Sequence, residues 1–215
     1  MAREVLPTVL RREPGLVIVD KPPGVLAVPA PGRSGPTMTD LVARVLGQRV
    51  FAVHRLDEDT TGAMVFALDE ATKAALEDMF RAHTIERDYL ALLSSAPSPP
   101  AGRIDGPLAL DSAGVVRVVR SGGQRAVTHY VTLGRREKCC LVHCRLETGR
   151  RNQIRAHMAA LGCPLAGDRK YGFRPRAGES FSRVMLHSWR LRLVDPATGS
   201  PIEVTVAPPE SQLAP

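Results

Sequence analysis

FAVHRLDEDTTGAMVFAL, residues 51–68, is the stretch from which the fold can be read. Its two ends, Phe51–Val53 and Ala63–Leu68, read as strands, and the second is apolar on both faces, as a central strand of a covered sheet would be. Between them, residues 54–62 place His54, Arg55 and the carboxylates Asp57, Glu58 and Asp59 in a turn. Catalytic groups concentrate in loops carried on a rigid scaffold. Taken alone, any one of these acids would be an ordinary solvated turn residue.

Working outward, Gly15–Asp20 (GLVIVD) is a short apolar strand, punctuated at once by Lys21, Pro22, Pro23 and Gly24. Thr37–Leu46 sets Leu41, Val42, Val45 and Leu46 at helical spacing before the stop signal Gly47. On the other side, Asp69–Ala82 has an N-capping Asp and a stripe of Ala75, Leu76, Met79 and Phe80, which predicts a helix. Ile85–Leu93 alternates as a strand, and Ser94–Gly102 is a proline-rich connection. Val115–Val119, Ala126–Leu133 and Cys139–Leu146 are further strands, Asn152–Leu161 is a helix, and Val184–Val194 and Ile202–Val206 close the series. Successive strands with few helices predict an α+β fold: a mixed, largely antiparallel central sheet flanked by a few helices.

The 215 residues are expected to form one compact domain. With 44% hydrophobic residues the chain can build a core without disulfide or metal staples. No apolar run approaches the roughly 20 residues needed to cross a bilayer, and no leader pattern opens the sequence, so a soluble cytoplasmic protein is expected, with no membrane partner. A monomer is the simplest expectation.

Charge is uneven. The 29 basic residues comprise 25 Arg and 4 Lys against 22 acids, and Arg favours forked contacts to phosphate. Residues 144–192 contain 11 basic and 3 acidic side chains, a net +8, while the rest of the chain sums to −1. A localised basic region is the footprint of a nucleic-acid partner. Cys139, Cys140, His143 and Cys144 raise the question of zinc, but strand alternation turns Cys140 and Cys144 one way and Cys139 and His143 the other. Small buried thiols are expected, and no metal.

His54, Arg55, Leu56, Asp57, Thr60, Thr61 and Gly62 resemble the HRLDxxTSG-type signature of the RluA-type family of RNA pseudouridine synthases. Val19–Gly32 is similar to that family's N-terminal KPxG segment, and Glu86–Leu90 (ERDYL) to its second motif. Residues 146–157 (LETGRRNQIRAH) resemble the third motif, 164–172 (PLAGDRKYG) its continuation, and 186–209 the closing segment. The matches fall in family order, and the resemblance implies a single catalytic domain, with too few residues before Gly15 for the separate N-terminal RNA-binding domain that many relatives carry. Arg151, Asn152 and Arg87 depart from the commoner residues at their positions.

The resemblance implies isomerisation of uridine to pseudouridine in structured RNA, ribosomal or transfer. The N1–C1′ bond breaks, the uracil turns, and C5 joins C1′; with no redox change, no cofactor is expected. Asp57 is implied as the catalytic carboxylate, acting at C1′ as a nucleophile or at C2′ as a base. Arg155 is implied as its charge partner, Tyr89 as the ring stacked on uracil, and Leu186 as an apolar wall. The target base must leave its helix, and Arg55 is placed to fill or brace the gap. Lys21, Arg150, Arg151 and Arg169 are candidates for the RNA backbone. A noncatalytic RNA-binding domain would explain the charge but not the acid-rich turn, and a hydrolase would need two carboxylates on opposite sides of one bond, which sequence neighbours seldom provide.

Overall fold

A computed structural model describes residues 6–135 and 139–209. They divide into two compact units: the chain up to Arg87 with Ser188–Ala207, and Asp88–His187.

The first unit contains β1 (Thr8–Arg12), β2 (Leu16–Lys21), β3 (Phe51–Ala52) and β4 (Thr61–Ala67), with most of β11 (Leu186–Val194) and all of β12 (Pro201–Thr205). The order is β1-β2-β4-β11, with β12 beside β11 and β3 beside β4. The β1–β2, β2–β4, β3–β4 and β11–β12 pairings are antiparallel. All seven residues of β4 are buried, as its two-sided apolar pattern predicts. On one side Leu16, Ile18, Val65 and Leu191 join Leu76 and Ile85 in an aliphatic core. Two helices flank these strands. Helix α1 (Met38–Leu46) starts with a reciprocal capping box between Thr37 and Asp40 and ends at Gly47 in the left-handed conformation. Helix α2 (Glu70–Arg81) is capped by the Asp69 carboxylate, which accepts from the Thr72 N–H at 2.7 Å.

The second unit is built on most of β5 (Glu86–Leu93) and on β6 (Ala101–Asp105), β9 (Val127–Arg135) and β10 (Cys140–Leu146), in the order β5-β10-β9-β6 with antiparallel neighbours. A separate hairpin of β7 (Leu108–Leu110) and β8 (Val116–Val118) packs with Ala156 of α3 (Gln153–Ala160) and with Tyr171 of a short 3-10 turn (Arg169–Tyr171). The polar side chains at the start of α3 are paired. The Gln153 amide donates to the Val127 carbonyl and the Thr128 hydroxyl and accepts from Thr148 and the Arg150 N–H, while the His157 ring bonds Thr128 and the Gly106 carbonyl. A buried amide held at every corner fixes the start of α3 against β9.

The α+β class and the largely antiparallel pairing are as the sequence predicts. Three strands, β1, β6 and β7, go beyond that expectation. All five β1 residues are exposed, so β1 has no buried alternation to read, and β6 and β7 lie in a proline- and glycine-rich stretch. Along β10, Cys140 and Cys144 are buried on one face, while His143 on the other bonds the buried Asp88 carboxylate at 2.7 Å.

Candidate active site

The turn between β3 and β4 is shaped from below by Leu56, which is buried, and by Thr60, whose N–H donates to the Asp57 carbonyl at 3.1 Å. Glu58 is its fixed point. The Glu58 carbonyl accepts from the Lys21 ammonium at 2.7 Å and from the Gly24 N–H at 3.0 Å, and its carboxylate accepts from Arg33. Bonds to the carbonyls of Asp57 and of Glu58, the residue after it, therefore hold the backbone from which the Asp57 side chain leaves. Asp57 is partly exposed and Arg55 is exposed.

Lys21 sits differently from the expectation of an RNA-backbone contact. Its side chain is 0% exposed, and its ammonium also donates to the Pro22 carbonyl at 2.9 Å. At the end of β2 the ammonium is enclosed by turn carbonyls, where it braces the acid-bearing loop and does not meet a phosphate.

His54 opens the same turn. Its Nε2 accepts from the Val65 N–H at 3.0 Å, so the proton of the neutral ring is on Nδ1. The ring stacks on Phe80 at 4.7 Å, and the Arg87 guanidinium lies over the other ring of that stack, 5.5 Å from the Phe80 centroid. Desolvation, helped by the Arg87 charge, pushes the imidazole pKa down to about 3. His54 is thus a neutral strut joining the turn to β4. Burial also raises the Asp20 carboxyl above its usual range, opposed by the Gly62 N–H.

Tyr89, Arg155, Arg150, Arg151, Arg169 and Leu186 belong to the second unit. Tyr89 lies on β5 opposite Cys144 and is 6% exposed; Leu186 begins β11 and is 5% exposed. The Leu186 carbonyl accepts from Arg183, itself buried. Arg155 projects from α3 into a forked pair with Asp168, Nε to Oδ2 at 2.6 Å and Nη2 to Oδ1 at 2.9 Å. Its guanidinium also lies 5.1 Å from the centroid of the Tyr171 ring. This geometry locks the plane of the guanidinium. Arg150, Arg151 and Arg169 are exposed, and the Arg150 Nε bonds the Arg125 carbonyl at 3.1 Å.

Asp168 follows Gly167, whose φ is +79°; a Cβ built there would lie 1.9 Å from the Arg183 carbonyl oxygen. Only glycine permits that close approach. Asp168, Tyr171 and Arg183 carry no role that the sequence pattern reveals. The first two stand within PLAGDRKYG, so a signal was present, but nothing in the one-dimensional pattern pairs Asp168 with Arg155.

A partly exposed carboxylate on a turn fixed through its backbone is suited to act as nucleophile or base, and a buried carboxylate that orients a guanidinium is suited to aim positive charge. The family model described as RNA pseudouridylate synthase matches residues 15–160. The chain is 34% identical over 213 residues to Ribosomal large subunit pseudouridine synthase D of Zymomonas mobilis, covering 91% of this chain and 67% of that protein. It is 36% identical over 204 residues to an uncharacterized RNA pseudouridine synthase, YlyB, of Bacillus subtilis, again covering 91% and 67%. Among solved structures, human RNA Pseudouridylate Synthase Domain Containing 4 superposes with a TM-score of 0.77 at 26% identity, covering 96% of this chain and 91% of that one. The chain belongs to the RNA pseudouridylate synthase family and is an RNA-modifying isomerase.

Proposed function

We propose that this chain is an RluA-type enzyme that converts a specific uridine of structured RNA, ribosomal or transfer, to pseudouridine in the cytoplasm, acting as a monomer. The observation that carries the reading is the Asp57 turn: the signature residues His54–Gly62 stand on a loop whose backbone is held by Lys21, Gly24 and Thr60. In this reading Asp57 supplies the carboxylate that acts at the ribose, Tyr89 stacks on the detached uracil, and Leu186 forms an apolar wall. Arg155 serves as charge partner of the acid, a role that rests on sequence resemblance. Arg55 is exposed at the turn and takes the place of the extruded base. Arg150, Arg151 and Arg169, all exposed, contact phosphates; Lys21 is not among these contacts.

Tritium release from RNA labelled at uridine C5 tests the assignment. The variant Asp57→Asn keeps the size of the side chain and should retain RNA binding while losing release altogether. Wild-type release by that variant would reject Asp57 as the catalytic group. Mapping pseudouridines in RNA from cells with and without the protein then identifies the target.

A further inference from the structure

Within the second unit, the β7–β8 hairpin and the loop before α3 line an open cavity of about 410 Å3. Its size falls within the roughly 300 to 1,000 Å3 of small-molecule sites. The floor is apolar: Leu108 and Val116 are nearly fully buried, and Leu110 is 61% exposed although it is a large aliphatic side chain on a strand. One wall is the Gly122–Gly123 turn. Gly122 has φ +75°, and a Cβ on Gly123 would come within 2.9 Å of the Leu108 carbonyl oxygen, so bare backbone forms that wall. Arg150 and Arg151 stand at the rim, both exposed, with Arg150 anchored through the Arg125 carbonyl. The exposed Gln124 completes the lining with a side-chain amide that can both donate and accept.

An aliphatic floor, an amide at the edge and two guanidiniums at the lip answer the three parts of a nucleotide: a flat apolar face, a hydrogen-bonding edge and an anionic phosphate. We propose that this cavity is a second nucleotide subsite, distinct from the Asp57 turn, that seats an unpaired nucleobase of the RNA and clamps the adjoining phosphate with Arg150 and Arg151. The assignment of the occupant as part of an RNA rests on the function proposed above. The subsite does no chemistry. It holds another nucleotide of the same RNA and so contributes to the choice of substrate. The charge at the lip suits an anion, and an aliphatic floor would be wasted on phosphate alone.

The test uses the whole chain with methyl-labelled Leu and Val, titrated with AMP or with ribose 5-phosphate to millimolar concentration. AMP is chosen because its purine differs from the uracil expected at the catalytic acid. The expected result is a saturable shift of the Leu108, Leu110 and Val116 methyl signals by AMP, with ribose 5-phosphate at least fivefold weaker at the same signals. Leu110→Asp and Arg151→Ala, both changes of exposed side chains, should each weaken AMP at least fivefold, whereas Leu133→Asp, at an exposed position of β9, should leave it unchanged. Equal shifts by ribose 5-phosphate would reduce the cavity to an anion site and overturn the proposal. So would AMP binding that leaves these methyls unmoved, or wild-type AMP affinity in Leu110→Asp. Asp57→Asn separates the two readings: it should lose tritium release and keep the AMP shifts. AMP shifts in a wild-type protein that never releases tritium would sink the proposed reaction and leave the subsite standing.

Discussion

Two charged groups, one in each unit, are held by opposite means. Asp57 is aimed through the backbone, because Lys21, Gly24 and Thr60 bond the carbonyls of Glu58 and of Asp57 itself, while Arg155 is aimed through side chains, gripped by the Asp168 carboxylate at 2.6 and 2.9 Å and set against the Tyr171 ring. The difference teaches which substitutions can be interpreted. Changing the Asp57 side chain leaves the carbonyl bonds from Lys21, Gly24 and Thr60 in place, so a lost rate reports on the carboxylate itself. Changing Arg155 leaves the buried Asp168 charge without its main counterion, so a lost rate there mixes catalysis with stability.

The comparison can be broken most directly at Asp168. Its side chain is 1% exposed, and Asp168→Ala should cost about 3 to 5 kcal/mol in urea unfolding and about 100-fold in tritium release. A variant with unchanged stability and rate would show that the guanidinium is aimed by something else. Lys21→Met comes next. Removing the ammonium strips one donor from the Glu58 carbonyl and one from Pro22, and about 1 to 3 kcal/mol should be lost, with a fall in kcat larger than any change in RNA affinity. Should RNA affinity fall and kcat hold, Lys21 would be a contact to RNA after all.

The His54 strut sharpens the same comparison through pH. Its folded pKa, about 3, lies below the ordinary 6.5, so between these values the unfolded chain takes up a proton that the folded chain refuses. Stability should therefore rise with pH across that window and be lost as the solution is acidified, with a contribution of up to about 1.4 kcal/mol per pH unit. Thermal unfolding of His54→Gln at several pH values should show a flatter profile than the parent; parallel profiles would remove the histidine from the account. Arg33→Ala should have the smallest effect. The Arg33 side chain is 53% exposed, and loss of its pair with Glu58 should change stability by no more than about 0.5 kcal/mol, measured by the same denaturation.

Much of this was legible in the chain. Helix α2 announces itself through Asp69 and its apolar stripe, and β4 through an apolar run too short for a helix between turn signals. The Asp57 turn was legible as a charged loop between buried strands. What escaped reading depends on contacts between residues far apart in sequence. Lys21 looks like any surface lysine until the fold closes over it, because nothing local says that the Glu58 carbonyl, 37 residues later, will meet its ammonium. Asp168 likewise acquires its meaning only from Arg155 on another element. Strand β1 failed for a different reason: an edge strand exposed at every position carries no burial period for the eye to find.

The near-collision beside Gly167 has an evolutionary corollary. Even a methyl group is barred by the carbonyl of Arg183, so the carboxylate next door inherits its bearing from a position that offers mutation no viable first step. In a saturation library selected for activity, that codon should drift only among its synonyms.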